Sequence, residues 1–235
     1  IHFDDREILG HAADQYRSRF TPIDWTGQDL QSALDTAAVI NTTADNCRFT
    51  SVCTDSRTIE QDQIFLALKG DRFDGHDFVE PLIKNGIKGF IVEQGFTRSL
   101  DKGFIERATE NALLIFEVAD SLYALGQLAR YQRLRAKVKV VAITGSSGKT
   151  TTRKLTQSIF DLQYPTLATR KNFNNEIGVP LTLLKLSHEH EWAVIEMGMN
   201  HAGEISRLSR IACPDIVVIT NTAGVHLEGL GTVEN

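Results

Sequence analysis

The chain has 235 residues, a formal net charge of -5, 42% hydrophobic residues and 23% charged ones. That length favours two domains over one, and the composition is that of a soluble globular protein rather than a disordered one. The acidic balance excludes a nonspecific nucleic-acid surface, no apolar run approaches the roughly 20 residues that cross a bilayer, and no basic-then-apolar leader opens the chain, so a cytoplasmic protein without membrane insertion is expected.

Residues 1–21 are mostly charged or polar with scattered apolar positions; their pattern supports a short helix ending before Pro22 and no role for this arm. The chain starts at Ile1 and its last stretch, GLGTVEN, carries no recognisable terminal element, so it is expected to be part of a longer protein. From Ile23 onward short elements alternate. A helix-like WTGQDLQSALDTA precedes the extended runs FTSVCT and QIFLALKG, then come the turn-rich DRFDGHDF, the helix VEPLIKNG and the strand KGFIVE. Strands interleaved with helices predict a small α/β domain over residues 22–109. ALLIFEV reads as a strand, and Asp120 as the N-cap of a helix SLYALGQLARYQRLRA with Leu122, Leu125 and Leu128 on its apolar face.

Beyond that helix the runs VKVVAIT, WAVIEM and DIVVIT are short and almost continuously apolar, as strands of a parallel sheet covered on both faces must be. A second, mostly parallel α/β domain is expected at 110–235, with the boundary near Thr109. Three cysteines, Cys47, Cys53 and Cys213, lack the spacing of a zinc site or a disulfide framework and are expected as small core or near-surface residues. The basic stretch ARYQRLRAKVK reads as the solvated face and C-terminal end of a helix, where the dipole favours cations, in preference to a nucleic-acid patch.

The chemistry concentrates in AITGSSGKTTTRK, residues 142–154, directly behind the first of the buried strands. Gly145 and Gly148 let the backbone turn tightly and present its N–H groups, the following helix contributes its positive end, and Lys149 adds a point charge: together, a phosphate cradle. Thr150 supplies a hydroxyl where P-loop proteins coordinate magnesium. Only the shorter form GxxGKT is present, since Ile143 stands where the full pattern has glycine.

Ligands of an open parallel sheet bind beyond the carboxyl ends of its strands. That edge carries the loop after VKVVAIT, Glu196 at the end of WAVIE, and the segment after DIVVIT with Asn221 and His226. If the three strands are neighbours, Lys149, Thr150, Glu196 and His226 meet around one nucleotide and its metal. A carboxylate is a natural magnesium ligand; imidazole is not the usual partner of so hard an ion, so His226 stays open between ligand and ordinary loop histidine. NFNNEIGVP, residues 172–180, is dense in amides and reads equally as a recognition segment or as a turn capping the next helix. In the first domain Ser56 and Arg57 of DSR can hold an anion, and the Asp-His-Asp cluster of DGHDF reads as a tight turn around Gly75 before it reads as a metal site.

The ordered set TDSR, IFLALKGDRFDGHDF, AITGSSGKTTT, KNFNNEIGVPLTLL, VIEMGMNHAGEI and ITNTAGVHLEGLG resembles the Mur ligases, from about Ile23 to Asn235. Within that family the set is most similar to the branch that adds D-alanyl-D-alanine to UDP-N-acetylmuramoyl-tripeptide in peptidoglycan synthesis. The resemblance implies an N-terminal domain for the uridine diphosphate end of the substrate, here 22–109, a central ATP-binding domain, here 110–235 and incomplete, and a further C-terminal domain.

It implies ATP and Mg2+ as cofactors, with Gly145, Ser146, Ser147, Gly148, Lys149, Thr150 and Thr151 around the ATP phosphates. Ser56, Arg57, Asn174, Asn175 and Glu176 fall at substrate-facing positions, Thr150, Glu196 and His226 at magnesium-associated ones, and Lys149, Glu196 and His226 at catalytic ones. A related ligase adding diaminopimelate or lysine, or a P-loop NTPase without ligase activity, is the alternative. Two departures stand out. EQDQ replaces the Pro-Gly-Asp turn that often precedes the family's LFVAL-like strand. The family's carbamylated lysine would lie beyond Asn235, so the fragment alone is expected to be inactive.

Overall fold

Two sheets account for most of the chain, and each follows from where its apolar side chains must go. The structure, a computed structural model, describes residues 20–34, 38–40, 47–70, 73–99 and 104–223; the arm at 1–19 and His226 fall outside the described residues. The first half contains β1 (Trp25–Thr26), α1 (Gly27–Ala33), β2 (Ala38–Ile40), β3 (Arg48–Phe49), β4 (Ser51–Cys53) and β5 (Gln63–Leu66). A 3-10 turn (Gly75–Phe78) follows, then α2 (Val79–Lys84), β6 (Gly89–Glu93), α3 (Phe96–Ser99), α4 (Phe104–Glu110) and β7 (Leu114–Val118).

Five of these strands form a sheet in the order β2-β7-β6-β5-β4, parallel throughout except for β2, which runs antiparallel to β7. Alternate residues point to opposite faces of a strand, and both faces here are covered. Ile64, Leu66, Ile91, Leu114 and Phe116 pack on one side with Trp25 and Leu30, while Phe65, Phe90, Val92 and Ile115 pack on the other with Val79, Leu82 and Phe104. Each such fully buried side chain contributes about 1.5–3 kcal/mol relative to its exposed state. The turn before β5 closes without a glycine: the Gln63 N–H donates to the Glu60 carbonyl at 3.1 Å, and the Gln63 side-chain oxygen accepts from the Glu60 N–H at 2.9 Å.

The sheet assigns β7 differently from the sequence expectation. A boundary near Thr109 would place this strand in the second domain, yet it is hydrogen-bonded between β6 and β2. A single buried strand carries no mark of which sheet it joins, because pairing is decided by partners far along the chain. The change of sheet falls instead at α5 (Ser121–Ala136), whose N-cap Asp120 accepts from the Tyr123 N–H at 2.8 Å as expected. This helix serves both cores. Ala124, Leu125 and Leu128 belong to the apolar cluster of the first sheet, and Ala129 and Ala136 to that of the second.

The second half comprises β8 (Lys139–Thr144), α6 (Lys149–Phe160), β9 (Thr166–Ala168), α7 (Gly178–Leu183), β10 (Trp192–Glu196), α8 (Glu204–Ala212) and β11 (Ile216–Ile219). Its four strands are all parallel in the order β11-β8-β10-β9, so β8 is flanked by the two strands expected beside it. Val140, Ala142, Ala193 and Ile195 face α5, α7 and α8, and Val141, Ile143 and Val194 face Phe160 of α6.

Arg130, Lys137 and Lys139 are exposed, as a solvated basic face requires, but Arg133 and Arg135 depart from that reading. Arg133 is buried and donates to the carbonyls of Ala212 and Cys213 and to Asp215 at 2.9–3.1 Å, closing the C-terminus of α8. Arg130 donates to the Arg210 carbonyl, and Arg135 stacks 4.0 Å from the Trp25 ring while donating to the carbonyls of Ile23 and Asp24. A guanidinium has five donors, and those of Arg130 and Arg133 satisfy carbonyls that the end of α8 leaves open. The three cysteines are half-buried and none is joined in a disulfide among the described residues. Among the described residues no helix is long and apolar enough to cross a membrane.

Candidate functional site

Strand β8 ends at Thr144, and the chain must reverse to start α6 five residues later. Gly145 takes φ 131° and Gly148, the N-cap of α6, takes φ 79°, backbone regions open to glycine. At Gly145 space is limiting as well, since a Cβ there would lie 2.2 Å from Thr220 Oγ1. The loop is held by the segment leaving β11. The Ser146 N–H donates to the Asn221 carbonyl at 3.0 Å, the Ser147 N–H to Asn221 Oδ1 at 2.9 Å, and Thr220 Oγ1 to the Ser147 carbonyl at 2.5 Å. Lys149 Nζ lies back over the loop, 2.6 Å from the Gly145 carbonyl. Thr151 continues the first turn of α6 and is exposed.

Parallel pairing of β10 with β8 sets Glu196 opposite Ile143, and so beside the first turn of α6. The Glu196 carboxylate is 2% exposed and accepts from Thr150 Oγ1 at 3.0 and 3.2 Å and from Asn174 Nδ2 at 3.0 Å. Arg153, one turn further along α6, brings Nε to 3.7 Å from the same carboxylate. The Glu196 N–H donates to Thr169 Oγ1 at 2.9 Å, which fixes the strand end on the β9 side. A buried carboxylate and a hydroxyl are the hard oxygen donors that suit magnesium, so Thr150 and Glu196 fit that ion on their chemistry. Among the described residues no group of three or more His, Cys, Asp or Glu side chains forms a metal cluster.

NFNNEI divides its work between the two readings left open for it. Asn174 faces Glu196, whereas Asn175 Oδ1 accepts from the N–H groups of Ile177 at 3.2 Å and Gly178 at 2.8 Å and so caps α7. Glu176 pairs with Arg207 of α8. Between these elements opens a cleft of about 490 Å3, lined on its polar side by Lys149, Asn174, Asn175 and Glu176 and closed by Met199, Asn200, His201 and Glu204.

That last group was missed as site residues by sequence reasoning, although MGMNHAGE directly follows Glu196 at the same sheet edge, which is the signal that would have found it. Glu204 accepts from the N–H groups of Asn200 at 2.6 Å and His201 at 3.2 Å, tying the turn to the start of α8. The Asn200 N–H, opposed by desolvation and helped by the His201 N–H, holds its carboxyl below the usual glutamate range.

Ser56 and Arg57 sit apart, in the turn after β4 of the first sheet, and do not line this cleft. Arg57 is exposed and forms a two-pronged pair with Asp55, Nε to Oδ1 at 2.8 Å and Nη2 to Oδ2 at 2.6 Å. That bond comes first among the causes that hold the Asp55 carboxyl below its usual range. DGHDF forms the tight turn: Asp74 accepts from the His76 N–H at 3.0 Å, and His76 Nε2 accepts from the Glu93 N–H at 2.8 Å. With Nε2 accepting, the His76 ring proton is on Nδ1, facing Asp74 at 2.5 Å, and both ring nitrogens are used structurally.

Known proteins match along both halves. The profile described as "Mur ligase family, catalytic domain" matches residues 48–133, and "Mur ligase middle domain" matches 143–235. A relative in Bacillus subtilis (strain 168) is 42% identical over 183 residues, covering 78% of this chain and 38% of its own length. One in Escherichia coli (strain K12) is 38% identical over 183 residues, with 78% and 38% covered. Both are named UDP-N-acetylmuramoyl-tripeptide--D-alanyl-D-alanine ligase.

Among solved structures, MurF from Acinetobacter baumannii superposes with a TM-score of 0.80 at 40% identity, covering 91% of this chain and 44% of that one. MurF ligase from Thermotoga maritima in complex with ADP gives 0.67 at 34% identity, with 78% and 40% covered. The chain thus spans about two fifths of the length of these relatives.

Proposed function

Because the chain belongs to the Mur ligase family, we propose that the full-length protein is an ATP-dependent amide ligase that joins D-alanyl-D-alanine to UDP-N-acetylmuramoyl-tripeptide, a cytoplasmic step of peptidoglycan precursor synthesis. The observation that carries this reading is the meeting of Thr150 Oγ1 with the buried Glu196 carboxylate at 3.0 Å, beside a glycine-hinged loop ending in Lys149, which lines a 490 Å3 cleft. A structural turn has no need of a carboxylate held out of water at the positive end of a helix. A phosphate-and-cation site does.

In this reading the terminal carboxylate of the tripeptide attacks the γ-phosphorus of ATP, ADP leaves, and an acyl phosphate remains. The D-alanyl-D-alanine amine then attacks the acyl carbon, and the tetrahedral intermediate expels phosphate. The first step brings one anion onto another. Lys149 and the N–H groups opening α6 offset that repulsion by standing where charge gathers, and such fixed donors are the main source of rate in phosphoryl transfer. Thr150, Glu196 and His226 would hold the magnesium, which when bound neutralises phosphate charge. Asn174 orients Glu196, and the cleft walls at Asn175, Glu176 and Asn200 give polar, uncharged and charged contacts for a peptide. The first sheet, with Ser56 and Arg57 beside it, would receive the uridine diphosphate end, and the second sheet, which follows α5, the ATP.

The test is phosphate release by the full-length protein with ATP and magnesium, omitting UDP-N-acetylmuramoyl-tripeptide and D-alanyl-D-alanine in turn. Release that needs both is expected. Release from ATP alone, indifferent to either, would leave a P-loop NTPase in place of the ligase.

A further inference from the structure

Arg153 has no part in the chemistry above, yet it is the most heavily buried cation next to it. Thr150, Arg153 and Gln157 lie at three- and four-residue spacing on α6 and so share one face. Arg153 is 6% exposed; its Nη1 donates to Gln157 Oε1 at 3.2 Å, while Nε, 3.7 Å from Glu196 Oε2, has no hydrogen-bond partner among the described residues. The guanidinium gives its hydrogen bond to Gln157 and faces Glu196 across 3.7 Å, beyond hydrogen-bond length. Its contribution to the site is charge. Glu196 also receives the Thr150 hydroxyl and the Asn174 amide, so the carboxylate is both surrounded and neutralised.

We propose that Arg153 is a positioning residue that makes cation capture by Glu196 conditional on a bound nucleotide. A divalent cation approaching the empty pair meets a carboxylate whose charge is already matched, with a fixed guanidinium behind it, and like charges oppose each other strongly where water is excluded. Nucleotide phosphates in the loop before Lys149 reverse that balance, and the ion then binds together with them. The order protects the site from holding a metal with no phosphate to act on. This rests on the nucleotide-and-magnesium reading of the site given above.

The experiment is Mn2+ binding to the full-length protein by electron paramagnetic resonance, with and without an ATP analogue carrying a nonhydrolysable β,γ-imido linkage. The unsubstituted protein is expected to bind Mn2+ weakly alone and at least about tenfold more tightly with the analogue. Arg153→Gln should tighten nucleotide-free Mn2+ binding by about tenfold, leave nucleotide-bound affinity unchanged and so shrink the enhancement by the same factor. Arg153→Lys, which keeps the charge, should stay within about twofold of the unsubstituted protein, a difference well under 1.4 kcal/mol.

Unchanged nucleotide-free binding in folded Arg153→Gln overturns the proposal. Should that variant not fold, a tightening in Arg153→Lys overturns it instead, because the charge would then not be the cause. A protein that binds no analogue at all would sink the nucleotide reading itself, an outcome distinct from either.

Discussion

Glu196 and Asp55 are both carboxylates at the end of a parallel strand, and both face an arginine, but the two pairs are built in opposite ways. Asp55 holds Arg57 two residues away in an exposed turn, so the pair is made by one short stretch and depends on little else. Glu196 meets Thr150 and Arg153 from α6 and Asn174 from the loop before α7, all more than twenty residues distant, and both charged members, Glu196 and Arg153, are out of water. A local pair survives wherever its loop goes. A convergent pair exists only while the order β8-β10-β9 holds and the cost of burying its charges is offset by every partner. The first is suited to pick a ligand from solvent, the second to hold a reacting group in one place.

Removing one member should therefore separate the two regions most widely. Glu196→Ala leaves the Arg153 guanidinium buried without its counter-charge, and a loss of about 3–5 kcal/mol in unfolding free energy is expected from urea titration. A loss below about 1 kcal/mol, the range of exposed pairs, would erase the distinction. Next in size is Lys149→Ala. Its ammonium is half-buried and among the described residues bonds only loop carbonyls, so the fold should stand while turnover of the full-length protein falls by about a hundredfold, or about 2.7 kcal/mol of barrier. Steady-state kinetics beside a circular dichroism spectrum would check both halves, and near-normal turnover would remove Lys149 from the machinery.

What could be read ahead of the structure follows the same division. The glycine-hinged loop before α6 was legible because strand, glycines, lysine and helix are adjacent in sequence, and the place of Glu196 because it ends an apolar run whose neighbours the parallel order supplies. Asp120 as an N-cap and the DGHDF turn were legible for the same local reason. The contact of Asn174 with Glu196 was not, since nothing in NFNNEI tells the amide that faces the sheet from the one that caps α7. Nor was the place of β7, or the use of Arg130, Arg133 and Arg135 as clamps on distant carbonyls: a basic helix end looks alike whether it meets water or another helix. MGMNHAGE became part of the site only once the turn after β10 was seen to fold over the cleft.

Arg57→Ala tests the exposed side of the comparison. Because the pair is solvated, the thermal midpoint should not change measurably, whereas affinity for a uridine-diphosphate sugar should fall by about tenfold if the guanidinium takes a phosphate, as one charge-assisted contact implies. Calorimetric titration on the full-length protein gives the number. An unaltered affinity would leave Asp55–Arg57 as a loop brace and nothing more.

The smallest effect is expected at the lip of the cleft. Glu204 accepts from the Asn200 and His201 N–H groups, and the first of these is the leading reason its carboxyl sits below the usual glutamate range. A carboxyl whose folded value is lowered contributes stability that is complete above its unfolded value and is lost as the pH falls through the folded one. Hydrogen exchange at the amides of Asn200 and His201 should therefore be slow relative to intrinsic rates near neutrality and lose its protection as the pH drops below the ordinary glutamate range. Glu204→Gln, which keeps an acceptor but no charge, should show weaker protection that does not change with pH over that interval. A turn equally protected at every pH in the unsubstituted protein would mean that the lip is held by the α8 backbone alone, and that this carboxylate, unlike Glu196, could be removed without opening the cleft.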